Sequence, residues 1–153
     1  MNHGLYAGEL FLRGYNCAQA VAVAFCDVTG LEEKFAARMA SSFGGGMGRM
    51  REVCGAVSGM LMVVGLLYGY DTPGDDVSKK IQYTLVQELA GKFREETGSI
   101  ICREILKNPP TDPDPSPRTA EYYAKRPCAR MVMTAAQILD AYIAENPPEG
   151  NHG

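Results

Sequence analysis

Five cysteines are the residues of this chain best suited to chemistry, and four of them share a setting. Cys17, Cys54, Cys102 and Cys128 each lie at or just after a predicted helix start and within five residues of an arginine, whereas Cys26 has neither feature. A helix N-terminus and a guanidinium both lower a cysteine pKa, so this setting favours thiolate over thiol. Because metal binding, redox exchange and nucleophilic attack all use the thiolate, the sequence indicates a thiol or cluster protein.

Three interpretations of these four cysteines stay open. Four thiolates form the complete ligand set of a [2Fe–2S] or [4Fe–4S] cluster or of a structural zinc. Gaps of 37, 48 and 26 residues mean that tertiary packing must assemble such a site. We take this shared metal site, used for electron transfer or redox sensing, as the leading hypothesis, with Cys17, Cys54, Cys102 and Cys128 as its ligands.

The other two interpretations need no metal. In a metal-free thiol/disulfide oxidoreductase the same four cysteines are the candidate catalytic residues. An activated thiolate, such as Cys54 beside the glycine-rich loop, attacks a substrate sulfur, and a second cysteine resolves the mixed disulfide. In a non-catalytic helical interaction module, the cysteines are buried as small hydrophobes.

Two glycines in the central apolar stretch are candidate cofactor contacts. The helix predicted from about Arg49 to Tyr68 carries Gly55 and Gly59 on one face. Each glycine costs about 1 kcal/mol relative to alanine in a helix interior. That cost indicates that a neighbouring helix or a cofactor approaches the backbone closely at this face, and close helix packing is the simpler explanation.

The spacing of apolar residues predicts an all-α fold. Three- and four-residue spacing runs through most of the chain, and strand-like alternation is scarce. We expect a compact bundle of about five to seven helices with a buried, glycine-containing central helix. The length suits one core rather than two, so residues 1–145 are predicted to form a single helical redox domain, followed by a disordered tail at residues 146–153.

Local signals predict where two of the helices begin and end. Asn16 is expected to cap a helix that begins at Cys17. A long helix is predicted from Asp75 to about Thr97, with Gly98 as its C-terminal cap. Its periodic apolar positions predict one buried face. These positions are Val77, Ile81, Leu85, Leu89 and Phe93.

Charge and composition exclude several classes of partner. The net charge is -3, with both signs scattered along the chain. Without a basic stripe or a polybasic cluster, we expect neither nucleic acid nor a membrane as partner. Glycines interrupt the apolar run Val53 to Tyr70, which favours a buried helix over a membrane span. The N-terminus does not resemble a secretory signal, so we expect a cytoplasmic protein, in which separated cysteines are more typical of metal or redox chemistry than of static disulfides.

Five stretches of the sequence together resemble one family closely. It is the redox-active family named for its C-GCAxxG-C-C pattern, and the resemblance covers Leu5 to about Ile143, with the core reading Cys-Gly-Ala in this chain. The resemblance implies a small helical protein with a redox role, without implying a substrate or cofactor. The stretches are Tyr15-Asn16-Cys17, Phe43 to Gly48, Cys54 to Gly59, Cys102-Arg103-Glu104 and Cys128.

This family is also similar to part of the split-Soret cytochromes, where a cysteine-rich region is associated with an iron–sulfur cluster. The similarity implies an iron–sulfur cluster here, with zinc or no cofactor as the alternatives. It does not imply covalent haem, because the chain has no Cys-x-x-Cys-His motif and its two histidines, His3 and His152, lie in termini that we expect to be mobile. The implied partner is a redox protein or a small-molecule thiol or electron carrier, and a homodimer stays open.

Overall fold

The computed structural model describes residues 1–149, and nine α-helices lie in this part of the chain. The only β pairing among these residues is an isolated bridge between Val53 and Ile101, so the all-α prediction is confirmed. Six helices have seven or more residues, which agrees with the predicted five to seven. They are α1 (His3–Leu12), α2 (Cys17–Ala24), α4 (Glu33–Ala40), α5 (Gly55–Tyr68), α6 (Asp76–Thr97) and α9 (Cys128–Glu145). The short helices are α3 (Cys26–Thr29), α7 (Cys102–Leu106) and α8 (Ala120–Lys125).

The start of α2 and the end of α6 follow the predicted local signals. The side-chain oxygen of Asn16 accepts a hydrogen bond from the Gln19 amide, and the Gln19 side chain accepts one from the Asn16 amide. This reciprocal capping box satisfies two amide donors and begins the helix at Cys17. At the other signal, Gly98 ends α6 with a left-handed φ of 95°, a conformation that glycine adopts without steric cost.

Helix α5 begins six residues later than predicted, at Gly55 instead of Arg49. The intervening residues form a loop in which Arg49 and Arg51 both have left-handed φ angles, of 67° and 62°. The Arg51 amide donates to the carbonyl of Gly45. These residues are therefore hydrogen-bonded to the glycine-rich loop, which comprises Gly44 to Gly48, and they do not form a helix.

The buried core lies between α1, α2, α5 and α9. Gly55 and Gly59 of α5 face α2, and neither has room for a side chain. A Cβ at Gly59 would lie 2.6 Å from the carbonyl oxygen of Ala18, and one at Gly55 would lie 2.8 Å from that of Phe43. Close packing of α2 on α5 thus accounts for Gly59, as the simpler explanation predicted.

The prediction that α6 has one buried apolar face is wrong for the first half of the helix. Leu85, Leu89 and Phe93 are buried as expected, whereas Val77 is 73% exposed and Ile81 is 64% exposed. With 22 residues, α6 is longer than α5 and α9, the helices against which it packs. Its first turns therefore extend beyond the edge of the core.

Both ends of the described chain are attached to the core. His3 is buried and its ring contacts Asp27 and Asp140, so the expectation that it lies in a mobile terminus is wrong. Helix α9 ends at Glu145, where the predicted domain ends, and the carbonyl of Asn146 accepts a hydrogen bond from Tyr68. The rest of the predicted tail from residue 150, which includes His152, lies outside the described residues. Within residues 1–149, no helix has both the length and the apolar character required to cross a membrane.

Candidate functional site

The four cysteines selected from the sequence line one cavity of about 420 Å³. Each lies at the start of a helix: Cys17 begins α2, Cys54 immediately precedes α5, Cys102 begins α7 and Cys128 begins α9. Cys26 also begins a helix, the four-residue α3, which was not predicted, but it does not line the cavity. The structure therefore brings together the cysteines that the sequence singled out and excludes the fifth.

Backbone pairing and the glycine-rich loop place Cys54 and Cys102 on the cavity wall. The Cys54 amide donates to the carbonyl of Ile100 at 2.7 Å, and the Cys102 amide donates to that of Glu52 at 2.7 Å. Gly46 lies against this pair with a left-handed φ of 70°, and a Cβ there would lie 2.8 Å from the Cβ of Cys102. Only glycine allows the loop to approach Cys102 this closely.

Cys17 and Cys128 interact with each other, and this interaction shifts their pKa values in opposite directions. The hydrogen bond from Cys17 is the main cause that lowers the pKa of Cys128 to about 7, and the guanidinium groups of Arg126, Arg118 and Arg51 lower it further. The same hydrogen bond, together with burial, raises the pKa of Cys17 well above its usual value. Of the two, Cys128 therefore has the greater thiolate character near neutral pH, and Cys17 holds its proton more strongly.

Cys54 and Cys102 differ from Cys128 because burial dominates their surroundings. Burial raises the pKa of Cys54 to about 12, although the amides of Ala56 and Val57 favour its thiolate. Burial also raises the pKa of Cys102, against the opposing effect of Arg51. The expectation that all four helix-start cysteines favour the thiolate is therefore correct only for Cys128. The hydrogen bond to Cys128 outweighs the helix N-terminus at Cys17, and desolvation outweighs it at Cys54 and Cys102.

Four arginines line the cavity, namely Arg49, Arg51, Arg118 and Arg126. The sequence analysis missed Arg118, because it is ten residues from Cys128 and lies near no other cysteine. Its guanidinium donates to the carbonyls of Phe11 and Tyr15, and it lies 4.3 Å from the centre of the Phe11 ring. Tertiary packing against α1, which has no local sequence signal, brings it to the site.

The proline-rich connector between α7 and α8 forms a further wall of the cavity, through Pro113, Pro115 and Ser116. Two arginines attach it: Nε of Arg49 donates to the carbonyl of Asp112 at 2.7 Å, and Nε of Arg51 donates to that of Pro110 at 2.9 Å. The connector is therefore part of the cavity wall and is held there by these two arginines.

The two candidate glycines are placed differently. Gly55 lines the cavity, and a Cβ at this position would lie 3.1 Å from the Cβ of Cys17. Gly59 faces Ala18 of α2 and does not line the cavity. The structure therefore leaves Gly55 as a candidate cofactor contact and places Gly59 in helix packing.

Within the part of the chain that the structure describes, no group of three or more His, Cys, Asp or Glu side chains is arranged to hold a metal ion. The four cysteines share a cavity without forming a preassembled metal site. The site therefore presents four cysteines whose pKa values are shifted in different directions and four arginines around one cavity.

Comparison with known proteins identifies a family. The family model described as "Putative redox-active protein (C_GCAxxG_C_C)" matches residues 15–142, which include every cysteine of the cavity. No curated protein and no solved structure matches the chain. The matched region thus contains the complete thiol set together with its four arginines.

Proposed function

Because the chain belongs to the C_GCAxxG_C_C family of redox-active proteins, we propose that it carries out thiol/disulfide exchange at the Cys17–Cys128 pair. The observation that supports this function best is that Cys17 and Cys128 begin α2 and α9 at the wall of one arginine-lined cavity, where they interact and their pKa values shift in opposite directions. Such a pair combines the two parts that exchange requires, a thiolate that attacks and a neighbouring thiol that resolves.

The proposed reaction starts with Cys128. Its thiolate attacks one sulfur of a substrate disulfide R–S–S–R, forms a mixed disulfide and releases R–S⁻, which takes up a proton from solvent. Cys17 then gives up its proton, attacks the Cys128 sulfur and releases the second R–S⁻, which accepts that proton. The substrate gains two electrons and becomes two R–SH, while the protein loses two electrons and forms the Cys17–Cys128 disulfide. A reducing dithiol partner reverses the sequence.

Cys54 and Cys102 stay protonated in this proposal. Burial raises the pKa of both, and neither has a hydrogen-bonded sulfur neighbour of the kind that Cys17 provides for Cys128. We propose that they line the cavity and react only when the Cys17–Cys128 pair is absent.

The test is a redox titration between reduced and oxidised dithiothreitol, with the disulfide located by peptide mass spectrometry. We expect the wild type to form one reversible Cys17–Cys128 disulfide and Cys17→Ser to accumulate a mixed disulfide on Cys128. Cys26→Ser is the matched control, because Cys26 lies outside the cavity, and it should behave as the wild type. A disulfide that joins another pair, or no reversible disulfide at all, would contradict the proposal.

A second candidate function is electron transfer or redox sensing by an iron–sulfur cluster held by Cys17, Cys54, Cys102 and Cys128, with zinc as the alternative metal. The shared cavity favours it. The donor set fits in number and charge, since such a cluster takes four thiolates and arginines offset its negative charge. The side chains would have to close around it, because no metal-holding group is preassembled in residues 1–149. When bound, a cluster would supply one-electron chemistry, as the split-Soret similarity also suggests.

Metal analysis separates the two candidates. Iron, zinc and acid-labile sulfide are measured on protein purified without oxygen, with Cys54→Ser as the matched variant because it removes one ligand but keeps the Cys17–Cys128 pair. Iron and sulfide in the wild type that are lost in Cys54→Ser would support the cluster. Metal-free protein in which both forms keep the reversible disulfide would support thiol exchange.

We also propose a cellular compartment and a partner for this chemistry. Thiol exchange at a resting thiol pair fits a reducing compartment, so we propose the cytoplasm. The partner is then a redox protein or a small-molecule thiol. A homodimer stays a prediction.

A further inference from the structure

Arg51 is buried in the cavity wall with part of its guanidinium unsatisfied. Its side chain is only 2% exposed. Nε donates to the carbonyl of Pro110, and Nη1 contacts the Sγ of Cys102 at 3.7 Å, a weak acceptor. Nη2 is buried and has no hydrogen-bond partner in the described protein. A buried donor without an acceptor is unfavourable, and because Arg51 lines the cavity, this nitrogen is a candidate contact for a bound ligand.

The charge around the cavity favours an anion as that ligand. Four arginines line it, and no Asp or Glu among residues 1–149 does so, although the chain as a whole has a net charge of -3. Arg49 pairs with Asp112 at 3.6 Å. No carboxylate in the described residues pairs with Arg51, Arg118 or Arg126. The N-termini of α2, α5 and α9 add positive potential at the same place.

We infer that this cavity binds small anionic sulfur compounds, namely disulfides or thiols that carry a carboxylate, with Arg51 contacting the anionic group. A guanidinium forms paired hydrogen bonds with a carboxylate, and such a ligand would give Nη2 of Arg51 the hydrogen-bond acceptor that it lacks. Arg118 and Arg126 add charge, and a volume of about 420 Å³ suits a small molecule. The sulfur half of this inference rests on the proposed thiol exchange, whereas the anion half rests on the arginines alone.

Three disulfides of similar size test the preference for charge. Dithiodiglycolate is anionic, bis(2-hydroxyethyl) disulfide is neutral and cystamine is cationic, and each is reduced to two thiols as the protein pair is oxidised. The measured quantity is the ratio of the rate constants for the anionic and the neutral disulfide in the same protein. This ratio cancels the effect of a variant on the pKa and nucleophilicity of Cys128, which is essential because Arg51 also lowers that pKa.

The expected ratio is about ten in the wild type, with cystamine slowest, since an oppositely charged cleft accelerates association by about tenfold or more. Arg51→Met should bring the ratio close to one. Arg94→Met removes the same charge from the exposed face of α6, outside the cavity, and should leave the ratio unchanged. Arg126→Met keeps the test decisive if Arg51→Met fails to fold, and it should lower the ratio about threefold. A ratio of one in the wild type would overturn the inference.

An inert anion separates failure of this inference from failure of thiol exchange. Adipate has the shape of dithiodiglycolate without the disulfide, and adipamide is its neutral counterpart. We expect calorimetry on Cys128→Ser to show adipate binding that Arg51→Met weakens at least about tenfold, and no adipamide binding. If no disulfide reacts but adipate binds in this way, the anion site stands and thiol exchange fails. If disulfides react without a charge preference and adipate does not bind, thiol exchange stands and the anion site is refuted.

Discussion

Two of the regions in which this protein buries polar side chains differ in whether those side chains have hydrogen-bond partners. At one end, the His3 ring lies between two carboxylates, with Nδ1 2.6 Å from Asp140 and Nε2 2.9 Å from Asp27. The ring also stacks on Phe25, with centroids 4.1 Å apart. In the thiol cavity, by contrast, Nη2 of Arg51 is buried and has no partner in the described protein.

The difference separates a structural polar cluster from a candidate binding site. The His3 cluster joins α1, α3 and α9. Both nitrogens of the His3 ring have hydrogen-bond partners, so a structural role in linking these helices accounts for the cluster. Unusual backbone conformations also cluster near the cavity. Among residues 1–149, the non-glycine residues with left-handed φ angles all lie in 47–51 and 107–108, at or next to the cavity lining. Such conformations cost about 1–3 kcal/mol each, and they cluster at functional sites.

The largest expected effect is on thiol reactivity in the cavity. At pH 7 about half of Cys128 is thiolate, since its pKa is about 7, whereas burial raises the pKa of Cys26 to about 11. The lower intrinsic nucleophilicity of an acidic thiol offsets part of this advantage, so we expect Cys128 to react with iodoacetamide about 100-fold faster than Cys26. Alkylation from pH 5 to 10, followed by peptide mass spectrometry, measures both rates.

Three variants define this reactivity. Cys128→Ser should remove the fast phase, while Cys26→Ser should keep it with a midpoint near pH 7. Cys17→Ala should move the midpoint upward, because it removes the donor whose hydrogen bond is the main cause of the low pKa. A fast phase that survives in Cys128→Ser would assign the reactive thiolate to another residue and would break the contrast drawn between the two regions.

The next effect is on stability, and it concerns the partnered region. His3→Ala removes the ring contacts to both carboxylates and the stacking on Phe25, and we expect it to lower the free energy of unfolding by about 2–3 kcal/mol. Urea denaturation measures this loss. The rate of Cys128 alkylation in the folded variant should stay within about twofold of the wild type. A larger change in that rate would mean that the His3 cluster is coupled to the cavity.

The third effect is the response of the cavity to alkaline pH. Burial raises the pKa of Cys54 to about 12 in the folded protein, above the value of about 8.5 expected when unfolded. Above the unfolded pKa, the unfolded state has released this proton and the folded state still holds it. Stability is therefore lost as pH rises, by about 1.4 kcal/mol per pH unit up to the folded pKa.

Cys54→Ser tests this contribution, because serine does not titrate in this range. Its stability should fall less steeply between pH 9 and 11 than that of the wild type, by about 1.4 kcal/mol per pH unit. His3→Ala serves as the comparison from the other region and should keep the wild-type slope. Equal slopes in wild type and Cys54→Ser would show that Cys54 is not buried as a thiol.

Local signals explain what could be predicted from the sequence. The capping box at Asn16 and the left-handed Gly98 are contained within a few neighbouring residues, so the helix boundaries that they define were predicted correctly. The four cysteines were selected for the same kind of reason, a helix start with an arginine nearby. In the structure all four lie on the wall of one cavity, where tertiary packing brings them together.

Long-range packing explains what could not be predicted. Burial decides the pKa of Cys54 and Cys102, and a helix start gives no measure of burial. Arg118 reaches the cavity because it packs on Phe11, more than 100 residues away in the chain. His3 was assigned to a mobile terminus because its carboxylate partners lie on two distant helices.

The smallest expected effect concerns the helix packing beneath the cavity. Gly59 and Gly65 both lie in α5, but a Cβ at Gly59 would lie 2.6 Å from the Ala18 carbonyl oxygen, while one at Gly65 would have no atom within 4 Å. Gly59→Ala should therefore destabilise the protein by about 1–2 kcal/mol, because α2 must move away. Gly65→Ala should stabilise it by up to about 1 kcal/mol through helix propensity. Thermal unfolding of this matched pair measures both.

The same pair tests whether packing of α2 on α5 sets the thiol chemistry. Cys17 begins α2, so a shift of that helix in Gly59→Ala should weaken the Cys17–Cys128 hydrogen bond and raise the midpoint of Cys128 alkylation. Gly65→Ala should leave the midpoint unchanged. If Gly59→Ala were as stable as Gly65→Ala, close packing would not account for Gly59.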